Sequence, residues 1–268
     1  MQKIKITSML LAFDIGNTNI VIGLFKNDQL THKWRLLSDV KKSIDDYAID
    51  IIELLLNAEI HPLKITGIII GSVVPALTSK LFEASKKFCD EKIHEKIFVI
   101  GKNVDLKIDI RLEKESEVGH DRLINAIAAF KEFGDNLIII DFGTATTFDV
   151  VGKNGEYLGG VIAPGINLSL KALHDMTAQL PRIEIKPQKN VIGKNTVEAM
   201  NSGVYFGYIA MIEGMIQKIE SELNTTTKHI ITGGLAEIFK DGLKNLFIHH
   251  KPDLTLEGLK IIHEQQQN

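Results

Sequence analysis

The stretch "LIIIDFGTATTFDV", residues 137–150, decides the fold. An apolar run ends in Asp141, Gly143 follows, and then come Thr144, Ala145, Thr146 and Thr147. A short apolar run bounded by turn residues reads as a buried strand. Gly143 lets the chain turn sharply into the next strand and leaves backbone N–H groups unobstructed. Hydroxyls after such a turn add donors, and the carboxylate can hold a cation. A turn of this kind suits phosphate oxygens with their neutralising ion. An acid at the carboxyl end of a strand also lies where open α/β sheets bind ligands.

The same plan occurs upstream. "LLAFDIGNTN", residues 10–19, gives a strand, Asp14, one residue, Gly16, then Asn17, Thr18 and Asn19. Either turn alone reads equally as a plain β-hairpin. Two of them, 127 residues apart, point to a duplicated fold with one acidic turn in each half. The expected division is residues 1–133 and 134–268. Further apolar runs at 19–25, 67–73, 96–101 and 229–234 read as strands, so the class is α/β. Three segments have helical spacing: 43–60, with Ser43 as cap and Asp45 and Asp46 in the first turn; 116–134, with Gly134 as its stop; and 195–223. The last contains Gly203, Gly207 and Gly214, which weaken a helix and so predict close packing there against another helix or subunit.

The totals bound the function. The chain has 268 residues, 44% apolar, with a formal charge of −3, enough for one large or two medium domains. That balance argues against nucleic acid and gives no electrostatic reason to sit on a membrane. The single cysteine, Cys89, excludes an intrachain disulfide and fits a reducing compartment. Lys3 and Lys5 precede an apolar run too short for a secretory signal, so the expected location is the cytoplasm.

Two other stretches can carry chemistry. In "HIITGG", Gly233 and Gly234 would let a flat ring lie against backbone. In "EVGHDRLINA", Asp121 and Arg122 follow Gly119 in the first turn of a helix. An acid there can accept a hydroxyl proton, and an arginine can clamp a carboxylate or phosphate in bidentate fashion. "VIGKNT" carries Gly193 and Lys194 but lacks the upstream glycine of a phosphate-binding loop.

Taken together, "DIGNTNIVIGLF", "EVGHDRLINAIAAF", "DFGTATTFDVV", "GGVIAPGI", "LPRIEI", "IGKNT" and "TGG" resemble the type III pantothenate kinases. These are a branch of the superfamily of acetate and sugar kinases, heat-shock chaperones and actin, and the resemblance spans nearly the whole chain. It implies two ribonuclease-H-like domains, with mixed sheets flanked by helices, and transfer of the ATP γ-phosphate to the 4′-hydroxyl of pantothenate. It also implies a homodimer that uses magnesium and a monovalent cation, potassium or ammonium. Carried over by motif, Asp14, Gly16, Asn17, Thr18 and Asn19 form a phosphate turn, with Asp14 near the magnesium-bound phosphates. Asp121 is the general base. Gly119, His120, Arg122 and Thr196 lie on the pantothenate side, Asp141 binds the monovalent cation, and Thr144, Gly233 and Gly234 serve ATP. The sequence departs from the family twice: His120 stands where a small residue is usual, and Leu112 where a substrate-contacting tyrosine is expected. Three rivals follow: a kinase for a related hydroxylated acceptor, a non-catalytic regulatory or accessory protein, and a structural ATP-binding module of the actin type.

Overall fold

A computed structural model describes residues 8–246 and 248–267, so Lys3 and Lys5 lie outside the described residues. The chain forms two units, each built on a five-stranded mixed sheet.

The first unit contains β1 (Met9–Ile15), β2 (Asn19–Lys26), β3 (Gln29–Leu37), β4 (Gly67–Ser72) and β5 (Ile97–Val99) in the order β3-β2-β1-β4-β5. β1 pairs antiparallel with β2 and parallel with β4. Its alternate residues face opposite sides, as strand periodicity requires. Leu11, Phe13 and Ile15 are fully buried with residues of α1 (Ile44–Asn57) and α2 (Pro75–Phe88). Burying side chains of this size stabilises the fold by roughly 1.5–3 kcal/mol each. Leu10 and Ala12 pack on the other face with Ile124 of α3 (His120–Phe133) and with Leu256, Leu259 and Ile262 of α7 (Leu254–Gln265).

α1 begins where its sequence says it should. Ser43 accepts the Asp46 N–H, and the Asp46 carboxylate accepts the Ser43 N–H, forming a capping box. Buried Tyr47, Ala48, Ile51 and Leu55 fall on one face.

The second unit repeats the plan with β6 (Leu137–Phe142), β7 (Ala145–Val151), β8 (Tyr157–Pro164), β9 (Lys228–Thr232) and β10 (Ile248–His250), ordered β10-β9-β6-β7-β8. β6 takes the place of β1: antiparallel to β7, parallel to β9. Ile138, Ile140 and Phe142 face a core formed with α4 (Ile166–Asp175), α5 (Thr196–Leu223) and α6 (Ala236–Phe239). The duplication inferred from the two D-x-G turns is therefore present in strand order and strand direction alike.

The division differs from a single cut after residue 133. One unit comprises the chain up to Lys107, Ser116–Ala128 and the chain from Thr255 on; the other comprises Ile108–Glu115 and Ala129–Leu254. Two physical facts account for this. The apolar residues of α7 complete the core under β1, and Asp109 and Arg111 exchange backbone hydrogen bonds with Tyr157 of β8.

Candidate active site

In the first unit, Asp14 is the penultimate residue of β1, opposite Val21 on one side and Gly71 on the other. Paired residues share a face, so the Asp14 carboxylate lies on the α3 side of the sheet. It is half-buried. Burial first, and then the negative charge of Asp121, push its carboxyl up from the ordinary 3.8 to about 7, against a smaller downward pull from Arg35. Gly16 donates to the Asn19 carbonyl at 2.9 Å, which closes the turn and leaves Asn17 and Thr18 exposed. Ser38 clamps the turn from β3's end, donating its hydroxyl to the Gly16 carbonyl at 2.6 Å and its N–H to the Thr18 carbonyl at 3.0 Å.

Asp121 occupies the first turn of α3. Its Oδ1 accepts the Arg122 N–H at 2.9 Å and lies where a Cβ on Gly119 would stand, 2.5 Å away. Glycine at 119 is therefore what allows the carboxylate to fold back over the helix start. The turn is also held by the Arg122 N–H donating to the Gly119 carbonyl at 3.1 Å. His120 turns its ring onto Gly101, the glycine that follows β5 and the isoleucine after it.

In the second unit, Asp141 is the penultimate residue of β6, opposite Thr147 of β7 and Thr232 of β9. Gly233 has φ +92°, and a Cβ there would come within 2.3 Å of Asp141 Oδ1 and 2.6 Å of the Phe142 nitrogen. Only glycine leaves that carboxylate its space. Thr144 and Gly234 are both exposed. Gly165, which precedes α4, approaches Thr144 so closely that a Cβ would sit 2.0 Å from the Thr144 carbonyl oxygen. Behind Asp141, on the same face of β7, Asp149 is fully buried; it accepts the Tyr157 hydroxyl at 2.7 Å and the Thr147 hydroxyl at 3.2 Å.

Thr196 opens α5, which Asn195 caps by accepting the Glu198 N–H. It lines an apolar groove of about 830 Å³ between α4 and α5, together with Leu173, Met176, Met200, Gly203 and Gly207. A Cβ on Gly203, Gly207 or Gly214 would meet no atom within 4 Å, so no other part of the described chain packs on them. Gly193 serves the helix differently. Its Cα lies against the first turn of α5, and a Cβ there would fall 2.4 Å from the Ala199 nitrogen. Leu112 packs on Gly159 of β8, whose Cβ would be 3.4 Å from Leu112 Cδ2.

In the first unit, then, the structure brings Asp14 and Asp121 into one electrostatic neighbourhood. In the second it puts Gly233 against Asp141. Sequence reasoning missed Arg35, Ser38 and Asp149. Strand register carries the signal for Arg35, since Asp14 pairs with Val21 and Val21 with Arg35. The two-residue period of "TTFDV" places Asp149 on the face of Thr147.

A sequence profile described as type III pantothenate kinase matches residues 10–218. The type III pantothenate kinase of Acidiphilium cryptum (strain JF-5) is 44% identical over 254 residues, which are 95% of this chain and 94% of that one. Among solved structures, a Campylobacter jejuni chain ascribed to the Baf family of transcriptional activators aligns with a TM-score of 0.62 at 19% identity, over 96% of this chain and 99% of its own. The polyphosphate/ATP-glucomannokinase of Arthrobacter sp. strain KM aligns with a TM-score of 0.51 at 14% identity, over 97% and 99%. At such identities these two speak for the fold alone, an architecture of two sheets flanked by helices. The profile match and the near-full-length identity go further: the chain belongs to the type III pantothenate kinase family.

Proposed function

We propose that this protein transfers the γ-phosphoryl group of ATP to the 4′-hydroxyl of pantothenate, giving 4′-phosphopantothenate, the first step toward coenzyme A. One observation carries the reading. Two carboxylates, Asp14 at a strand end and Asp121 at a helix start, share a neighbourhood tight enough for one charge to raise the other's proton affinity. Phosphoryl transfer needs such a division of labour, with one acid on the phosphate side and one on the hydroxyl. Family membership supplies the acceptor.

In this reading Asp121 takes the proton from the attacking hydroxyl while Arg122 and Gly119 hold pantothenate. Within the first unit the Gly16–Asn19 turn offers N–H, amide and hydroxyl donors to phosphate oxygens; within the second unit Thr144, Gly233 and Gly234 are the residues that would serve ATP. Asp14 fits a magnesium ion shared with the phosphates: a hard carboxylate oxygen kept half-buried, which the ion would hold ionised while neutralising phosphate charge. Asp141 would be the monovalent-cation ligand, a hard carboxylate oxygen that the bare Cα of Gly233 lets lie close against the backbone. A second copy of the chain would cover the α4–α5 groove, making a homodimer and bringing Thr196 to a partner's pantothenate. Exposed Leu173, Met176 and Val197 beside the open glycines support that assembly. No helix of the described residues is long and apolar enough to cross a membrane.

The test is product analysis with Asp121→Asn. The native chain should convert pantothenate to a product heavier by one phosphate. The variant should still bind ATP but turn over at least ~100-fold more slowly, the usual worth of a general base. Near-native turnover would remove Asp121 from that role.

A further inference from the structure

We infer that His120 is a positioning residue for Asp121, and that it acts by resting its ring on Gly101. The inference builds on the assignment of Asp121 as the base and goes beyond it.

Gly101 lies in a stiff turn after β5. The Lys102 and Asn103 N–H groups both donate to the Val99 carbonyl, at 3.0 and 3.2 Å. The Asn103 side chain staples the turn back to the strand, accepting the Val99 N–H at 2.7 Å and donating to the Ile97 carbonyl at 3.1 Å. Gly101 has φ +78°, and a Cβ built on it would stand 2.4 Å from His120 Cε1 and 2.9 Å from Nε2. The ring therefore occupies the space a side chain at 101 would need. Imidazole and glycine form a matched pair, with the ring as the spacer between the turn and the first residue of α3.

The next turn of α3 is anchored separately. Ile124 Cδ1 lies 2.8 Å from where a Gly71 Cβ would be, and the Ile124 carbonyl 2.5 Å from where a Gly258 Cβ would be. Removing the His120 ring thus leaves the body of the helix seated and frees its first turn, which carries Asp121. A small residue at 120 would leave that gap unfilled in this chain. Displacing a reacting group by about 1 Å can cost up to ~100-fold in rate, whereas substrate held elsewhere is unaffected.

The test is steady-state kinetics on the full-length protein with ATP, magnesium and pantothenate. His120→Ala should lower kcat about tenfold while KM for ATP stays within about twofold. Gly101→Ala pushes the ring away and, with the added strain of an alanine at φ +78°, should lower kcat at least similarly. His120→Phe, which keeps a planar ring without titratable nitrogens, should restore most of kcat with the native pH–rate profile. Native kcat in His120→Ala overturns the inference. A pH–rate limb that disappears in both His120→Ala and His120→Phe would also overturn it, since the residue would then act by its proton. If Gly101→Ala does not fold, His120→Ala and His120→Phe decide alone. Asp121→Asn, run alongside, separates the two readings: native turnover there indicts the base assignment, whatever His120 does.

Discussion

Replacing Asp14 by Asn should stabilise the folded protein at neutral and higher pH while it destroys the kinase. Burial and the neighbouring Asp121 charge raise the Asp14 carboxyl from 3.8 to about 7 in the folded chain. Between those values the folded state binds more protons than the unfolded one, so stability falls as pH rises through the window, and the deficit is complete above about 7. That rise from 3.8 to about 7 corresponds to about 4 kcal/mol. The carboxylate is half-buried, and solvent screening brings the expected deficit to about 2–3 kcal/mol. Asn has nearly the same shape and no charge to desolvate. Urea unfolding of both proteins without nucleotide, in steps from pH 5 to pH 8, measures the gap. Asp14→Asn should be the more stable by about 2–3 kcal/mol at pH 8, with the gap shrinking as pH falls toward 4. An Asn variant less stable at pH 8, or a gap independent of pH, would refute the reasoning. The ionised carboxylate, destabilised here, is the form the proposed magnesium role would need, which would set function against stability.

Three further outcomes are expected. Asp141→Ala should make turnover indifferent to potassium; retained potassium activation would clear Asp141 of cation binding. His263, buried on α7 against Phe98 and the bare Cα of Gly67, is held down at about 4 by burial and then by Lys96, from an ordinary 6.5. Its lowered value means that stability is full above about 6.5 and is lost as pH falls through the window to 4, by up to about 3 kcal/mol; His263→Gln should flatten that acid limb in a pH series of unfolding midpoints. A Cβ at Gly207 meets nothing within 4 Å in the described chain, so a side chain there starts into the open groove and Gly207→Leu should leave the monomer folded. It should nonetheless shift a homodimer toward monomer in sedimentation at micromolar concentration, and an unchanged dimer would move the interface away from the α4–α5 groove.

Much of this was legible in the chain, for local reasons. Ser43 and Asp46 specify a capping box within four residues, and Gly134, at φ +57°, ends α3 as its sequence position implies. The acidic turns announced the duplication because the strand, acid and glycine are contiguous. Among the unread strands were β3 and β8, the latter with Gly159 and Gly160 inside it. Both lie at sheet edges, where residues alternate between half-buried and exposed and the apolar signal fades. The exchange of α7 and Ile108–Glu115 between units was invisible because it depends on tertiary contacts alone. The same is true of His120: nothing in "GHDR" says that its ring meets Gly101. The glycines of α5 were read as packing sites for another helix or a subunit, and within the described chain nothing lies within 4 Å of a Cβ built on them.

The most direct test of the whole account is ADP release from purified protein given ATP and magnesium, with and without pantothenate, first in potassium and then in sodium alone. The account predicts ADP release that requires pantothenate and collapses without potassium or ammonium. ADP release indifferent to pantothenate would point to another acceptor. An ATP-binding protein that releases no ADP under any of these conditions would contradict the assignment as a kinase.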